Sequence, residues 1–253
     1  MAYQIKRDEN IVRFTINRPE IRNAINHDVI EGLEKLVSLV IEDTSIQFVV
    51  ISGEGEMAFC SGGDLSVFHG LHTADEAYPM LNRMAEVLYL VSTLPVPVIA
   101  LVNGAAVGGG CEIATACDYR IVSSKAKCGF IQGTLAITSG WGGGTYLLEK
   151  MPKSDLAMRM LCEAKVYEAD YLKEIGWATE VYEGDKEQAL GSFLVNMKKI
   201  EASVHRAYKQ MVIRKWASQN LLAQIKEEVR VCSQLWEADE HHISVQKFLN
   251  RAK

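Results

Sequence analysis

No run of apolar residues in this chain is long enough to cross a bilayer, which argues against a membrane-spanning protein. The first residues, Met1-Ala2-Tyr3-Gln4-Ile5-Lys6-Arg7-Asp8, turn charged at once and lack the apolar stretch of a secretory signal. Positive charge is not in excess. The 27 Lys and Arg face 32 Asp and Glu, for a formal net charge of -5. No overall field therefore draws the chain to nucleic acid or to an anionic membrane. The six cysteines, Cys60, Cys111, Cys117, Cys128, Cys162 and Cys232, contain no Cys-x-x-Cys pair. Several sit in apolar or glycine-rich surroundings, which suits reduced, buried thiols and a cytoplasmic protein. Metal-binding spacing is also missing. His241 and His242 are adjacent, so on a helix they point in different directions and read as solvated.

What is present is an ordinary globular balance, with 48% hydrophobic residues in 253, enough for a large core. Ile11 to Asn17 alternates apolar and polar and reads as a strand ended by Arg18-Pro19-Glu20. Asn26 is placed to cap a helix over residues 27–42, with Val29, Leu33, Leu36, Val37 and Val40 on one stripe. Phe48-Val49-Val50-Ile51 and Val98-Ile99-Ala100-Leu101-Val102 read as buried strands, and Asp118 to Val122 as another. A longer helix is expected near residues 77–93, and a helix from Cys111 to Ala116. Strands alternating with helices imply an α/β layered domain. Beyond Ser154 the strand signal fades and the pattern turns helical. The expected division is an α/β core over residues 1–190 and a helical region over 191–253.

Three loops are unusually rich in glycine: Ala58 to Leu65, Asn103 to Glu112 and Ser139 to Thr145. Glycine after a buried strand lets backbone N–H groups approach a ligand, and where such a loop opens a helix the free N–H groups attract negative charge. The loops do not fit the Gly-x-x-x-x-Gly-Lys-Ser/Thr phosphate cradle or the ordered Gly-x-Gly-x-x-Gly of dinucleotide binders. Neither is there a Gly-x-Ser-x-Gly nucleophile elbow. Two readings stay open on these residues alone: tight turns with close helix packing, or a pair of N–H donors converging on one oxygen, an oxyanion hole.

Ala58-Phe59-Cys60-Ser61-Gly62-Gly63-Asp64-Leu65 and Asn103-Gly104-Ala105-Ala106-Val107-Gly108-Gly109-Gly110-Cys111-Glu112 resemble two motifs of the crotonase superfamily, the enoyl-CoA hydratase/isomerase family. Asn17-Arg18-Pro19 with Asn23-Ala24, Cys117-Asp118, Gly143-Gly144-Thr145 and Phe248-Leu249-Asn250-Arg251 are similar to further elements of that family, in the same order. The resemblance implies a crotonase-like spiral of ββα units whose helical C-terminal region serves trimerisation, as a homotrimer or a dimer of trimers. It implies an acyl-CoA substrate, a role in fatty acid metabolism, and no separate cofactor or metal. By motif position it assigns the oxyanion-hole N–H groups to Gly63 and Gly109. The coenzyme A side would lie near Arg22, Asn23 and Ala24. Ser61, Gly62, Asp64 and Leu65 would line the path to the thioester, with Trp141 at the acyl group and Arg251 reaching toward a phosphate. Two such donors in a dry site stabilise a thioester enolate, and losing one costs about 3–4 kcal/mol.

Hydratases of this family use two glutamates. The first maps onto Glu112, early on the helix entered from the second loop. Twenty residues further on, where the second is expected, this chain has Gln132. An amide does not titrate and serves only to orient water or substrate. Phe130-Ile131-Gln132 and Gly140-Trp141-Gly142-Gly143 are similar to the ethylmalonyl-CoA decarboxylase branch, whose chemistry does not need a base at that position. A neutral Gln132 would also spare a substrate carboxylate a repulsion of ~4 kcal/mol at about 4 Å. The expectation is thus an enoyl-CoA hydratase/isomerase-like enzyme, with decarboxylation of a short malonyl-type CoA as the alternative. A non-catalytic relative that binds RNA or protein is the remote one. His69 is a further candidate for the acyl pocket, although an exposed loop position is the plainer reading.

Overall fold

The computed structural model describes residues 1–68 and 70–251. β1 (Tyr3–Asp8) and β2 (Ile11–Ile16) form an antiparallel hairpin. Alternation reveals β2 but not β1, a half-exposed edge strand with Gln4, Lys6, Arg7 and Asp8 among its six residues. Charged side chains suit such an edge. α1 (His27–Glu42) begins where expected, and the Asn26 side chain accepts from the Val29 N–H at 3.1 Å.

Three strand–strand–helix units follow. The first is β3 (Phe48–Gly53) and β4 (Ala58–Cys60), then a short α2 (Leu65–Phe68) and the long α3 (Ala74–Ser92). The second is β5 (Val98–Val102), β6 (Ala105–Val107) and α4 (Gly109–Ala116). The third is β7 (Tyr119–Ser123), β8 (Lys127–Gly129) and α5 (Gly143–Lys150). Each unit gives its longer strand to a six-stranded sheet, ordered β1-β2-β3-β5-β7 and closed by β10 (Glu180–Tyr182), and its short strand to a four-stranded sheet, ordered β4-β6-β8 and closed by β9 (Tyr167–Glu168). Within both sheets the strands of successive units run parallel. This is the spiral of ββα units that the resemblance implies.

α6 (Ser154–Glu163), β9 (Tyr167–Glu168), α7 (Ala169–Glu174) and β10 (Glu180–Tyr182) come next. The fading of strand signal after Ser154 is therefore misleading. Two strands of two and three residues close the two sheets there, too short to display a period of two. A boundary at 190 cuts α8 (Lys186–Leu194) in half. Leu190 and Leu194 of this helix are buried with Phe48, Val50, Ile99, Leu101 and Ile121 of the six-stranded sheet, so α8 belongs to the core. The helical region proper is α9 (Ala202–Ser218), α10 (Leu221–Glu237) and α11 (Asp239–Arg251). It packs on its own core. Lys209 of α9 is buried in an ion pair with Asp118, α10 lies along α3, and α11 rests on the turn Gln132–Leu135.

Candidate active site

Two asparagines shape the approach to the site. Asn103 accepts from the Gly53 N–H at 3.0 Å and donates to the carbonyls of Gly55 and Ala58 at 2.8 and 3.2 Å. Asn23 donates to the same Ala58 carbonyl at 2.7 Å and to that of Glu54 at 3.0 Å. The turn after β3 is thereby clamped, and β4 delivers Ser61 to Asp64 beside the start of α4. Arg18 then ties the N-terminal segment to this loop, pairing with Asp64 at 2.8 Å and donating to the Ala24 carbonyl at 2.7 Å.

Ile25 forms a parallel bridge with Gly63, in which the Ile25 N–H bonds the Gly62 carbonyl at 2.8 Å and the Ile25 carbonyl accepts from Asp64 at 2.9 Å. In that register the N–H of Gly63 itself points away from Ile25. Gly109 is the first residue of α4, where an N–H has no partner within the helix. The two loops touch: a Cβ on Gly62 would lie 3.2 Å from the Gly109 nitrogen. At Gly109 a Cβ would lie 2.1 Å from Cζ3 of Trp141, so only glycine fits under the indole. Gly63, Gly109 and Trp141 all line one cavity of about 150 Å³, together with Glu112 and Gln132. A cavity of that size holds a group about as large as benzene.

Glu112 is 2% exposed, and both its oxygens accept hydrogen bonds. Its Oε2 accepts from the N–H groups of Trp141 and Gly143, each at 2.8 Å. Its Oε1 accepts from Nε2 of Gln132 at 2.8 Å and more loosely from the Gly140 N–H at 3.4 Å. Burial pushes its pKa up to about 8, helped by the nearby carboxylate of Glu228 and opposed by the backbone N–H groups. Because Gln132 must donate to this carboxylate, its Oε1 is left as a buried acceptor without a partner among the described residues. Around one small space the structure thus gathers a buried carboxyl, an unpartnered amide oxygen beside it and the two glycines Gly63 and Gly109.

The expected residues separate into two groups. Gly63, Gly109, Glu112, Gln132, Ser61, Gly62, Leu65 and Trp141 line the cavity. Asn23, Ala24 and Asp64 do not. The Asn23 side chain is fully buried with oxygen and nitrogen both committed to backbone partners, so its role is to hold the loop. Ala24 is buried, and its carbonyl is taken by Arg18. Burial works against ionisation of Asp64, but hydrogen bonds from Ser66 and Arg18 hold its carboxyl below the usual range, as a structural ion pair requires. Arg22 is exposed and does not line the cavity either; its carbonyl accepts from the Ser61 N–H at 3.0 Å. His69 and the side chain of Arg251 lie outside the described residues.

Sequence reasoning missed the far wall of the cavity, formed by Cys232 and Trp236 of α10 and His241 of α11. His241 is not solvated: it is 3% exposed, and its Nδ1 lies 2.7 Å from the Leu135 carbonyl. Its neighbour His242 is only half-buried. Adjacent histidines do diverge on a helix, but here one of the two directions is inward.

The sequence matches the family model described as enoyl-CoA hydratase/isomerase over residues 6–253. The chain belongs to that family. It is 35% identical to a crotonyl-CoA hydratase of Syntrophomonas wolfei over 74% of this chain and 72% of that protein. It is 34% identical to the mitochondrial methylglutaconyl-CoA hydratase of Mus musculus, over 71% of this chain and 57% of the mouse protein. The ethylmalonyl-CoA decarboxylase of Xenopus laevis is 27% identical over 91% of the chain and 77% of its own length. A solved enoyl-CoA hydratase/isomerase from Mycobacterium paratuberculosis superposes with a TM-score of 0.87 at 23% identity, over 97% of this chain and 98% of the other. That likeness establishes the fold. Among the described residues no helix is long and apolar enough to cross a membrane.

Proposed function

We propose that this family member hydrates a short 2-enoyl-CoA thioester with Glu112 as its one titrating catalytic group. The observation that carries the reading is the contact of Glu112 with Gln132 on the cavity wall, which leaves the amide oxygen of Gln132 unpartnered. A water donating one hydrogen to Glu112 and the other to that oxygen turns a lone pair toward the substrate. Its oxygen bonds to the β-carbon while its proton passes to Glu112. The electron pair of the carbon–carbon double bond shifts to the bond between the α-carbon and the thioester carbon, the carbonyl pair moves onto the thioester oxygen, and the N–H groups of Gly63 and Gly109 hold the enolate so formed. Glu112 then returns the proton to the α-carbon. The small cavity supports a short acyl group. The exposed Arg22 suits the coenzyme A side, no cofactor beyond coenzyme A itself is required, and six unpaired cysteines suit the cytoplasm. The exposed Val204, Tyr208, Met211 and Val212 on α9 suit a homotrimer or hexamer.

A second reading is favoured by the charge state of Glu112. With a pKa near 8 the group is mostly a neutral acid at pH 7, so it does not repel the carboxylate of a malonyl-type thioester. Loss of carbon dioxide would leave its electron pair in the enolate, and Glu112 would supply the proton to the α-carbon. The two readings predict opposite pH limbs. Hydration needs ionised Glu112 and rises as pH climbs through about 8, whereas decarboxylation needs the acid and falls there. Mass spectrometry of protein incubated with crotonyl-CoA and with ethylmalonyl-CoA across that range decides between them. Gain of water on the first supports hydration, loss of carbon dioxide from the second supports decarboxylation, and inertness toward both rejects the catalytic assignment of Glu112.

A further inference from the structure

Glu228 lies far from Glu112 in sequence, on α10, with the buried Ile225, Val229 and Cys232 of the same helix around it. Its Oε1 accepts from Oγ of Ser139 at 2.6 Å and from the Gly144 N–H at 3.0 Å. Its Oε2 accepts from the N–H and the hydroxyl of Thr145 at 2.7 and 2.6 Å. Glu112 takes the N–H groups of Trp141 and Gly143. Two carboxylates from different helices thus divide the opening of α5 between them. Gly143 lets the first come this close, for a Cβ there would lie 2.3 Å from Cγ of Glu112. The helix N-terminus attracts either charge, but the two charges repel each other.

The other titratable groups around the pair, among the described residues, are Cys111 on α4, Tyr146 on α5 and Cys232 on α10, with Tyr89 on α3 behind Tyr146. Burial pushes the first three up, so they carry no charge near neutrality. A cation stands beyond Tyr146: Lys150 of α5, with Nζ 5.4 Å from the centre of that ring, is committed to the carbonyls of Thr115, Ala116 and Cys117 at the opposite end of α4 from Glu112. We propose that Glu228 is a positioning residue for Glu112: its carboxylate fastens the 139–145 turn that holds Glu112, and its negative charge governs when Glu112 ionises. Burial raises Glu228 as well, so the two titrate as a coupled pair. The inference rests on the proposed role of Glu112 in turnover, but the charge coupling is measurable without turnover.

The test is the pH profile of crotonyl-CoA hydration in the wild type and in Glu228→Gln. Removing the charge moves the rising limb to lower pH. A displacement of one pH unit makes the ionised fraction of Glu112 below the limb about tenfold larger. A variant whose limb stays in place while its plateau drops would reduce Glu228 to a structural prop and overturn the proposal. Carboxyl carbon NMR supplies the second measurement, should Glu228→Gln fold poorly. It follows Glu112 itself and needs no turnover: the Glu112 carboxyl titrates at lower pH once the Glu228 charge is gone, in Glu228→Gln or in Glu228→Met, and an unmoved Glu112 titration overturns the proposal equally. Wild-type protein that fails to hydrate crotonyl-CoA counts against the function assigned to Glu112, while the NMR comparison still decides the coupling.

Discussion

Gly109 carries two demands at one residue. It is the first residue of α4 and lines the cavity, and its bare Cα lies beneath the Trp141 ring, where a Cβ would stand 2.1 Å from Cζ3. Gly109→Ala must therefore move the indole, the N–H or both. The expected cost to folding is that of an overpacked core site, about 1–3 kcal/mol. The expected cost to turnover is larger, a drop in kcat of about 10²–10³-fold, as for removal of one oxyanion donor. Urea unfolding and steady-state kinetics on the same sample separate the two. Near-native kcat in a folded Gly109→Ala variant contradicts the assignment of this N–H to the enolate.

At the scale of elements, local signals located the parts whose physics is local. The stripe of α1 and its Asn26 cap, the buried β3 and β5, and the glycine entry to α4 are all visible because a 3.6-residue period, a capping side chain or an apolar run is written in consecutive residues. β4, β6, β8 and β9 were not visible, since strands of two or three residues show no period. Nor does Glu228 announce itself: it becomes a site residue only when α10 packs against α5. The motif asparagines are intermediate. Resemblance placed Asn23 near the ligand, whereas the structure uses it, with Asn103, to clamp the turn between β3 and β4. Asn103→Ala leaves the Gly53 N–H and the Gly55 carbonyl without this partner. Gly55 is exposed, so water takes up its carbonyl, whereas the buried Gly53 N–H left unpaired costs about 1–3 kcal/mol. Urea unfolding should show a loss in that range, and a loss of only a few tenths would mean that water replaces the clamp.

For the whole molecule, the site sets a pH dependence of stability that runs against the common trend. Most folded carboxylates are stabilised in their ionised form, so that stability falls in acid. Glu112 does the opposite. In the unfolded chain it ionises near the model value of 4.5, whereas in the fold it keeps its proton to about 8. Between those values the folded state binds the extra proton, so this residue's contribution is fully present below about 4.5 and is lost progressively as pH rises to about 8. The Asp64 carboxyl, held below the usual range by Ser66 and Arg18 against its own burial, acts in the other sense, but it is already ionised in both states above pH 5. Burial disfavours the protonated forms of His241 and Lys150, which act in the other sense over this range, so the Glu112 contribution is read as the Tm of the wild type relative to Glu112→Gln. That relative stability should decline from pH 5 to pH 8 by an amount corresponding to a few kcal/mol, since the variant has no proton to lose at this position. Calorimetry of both proteins at a series of pH values checks this. Parallel curves would mean that Glu112 ionises in the fold as readily as in water, and the buried acid at the heart of the proposed chemistry would be ruled out.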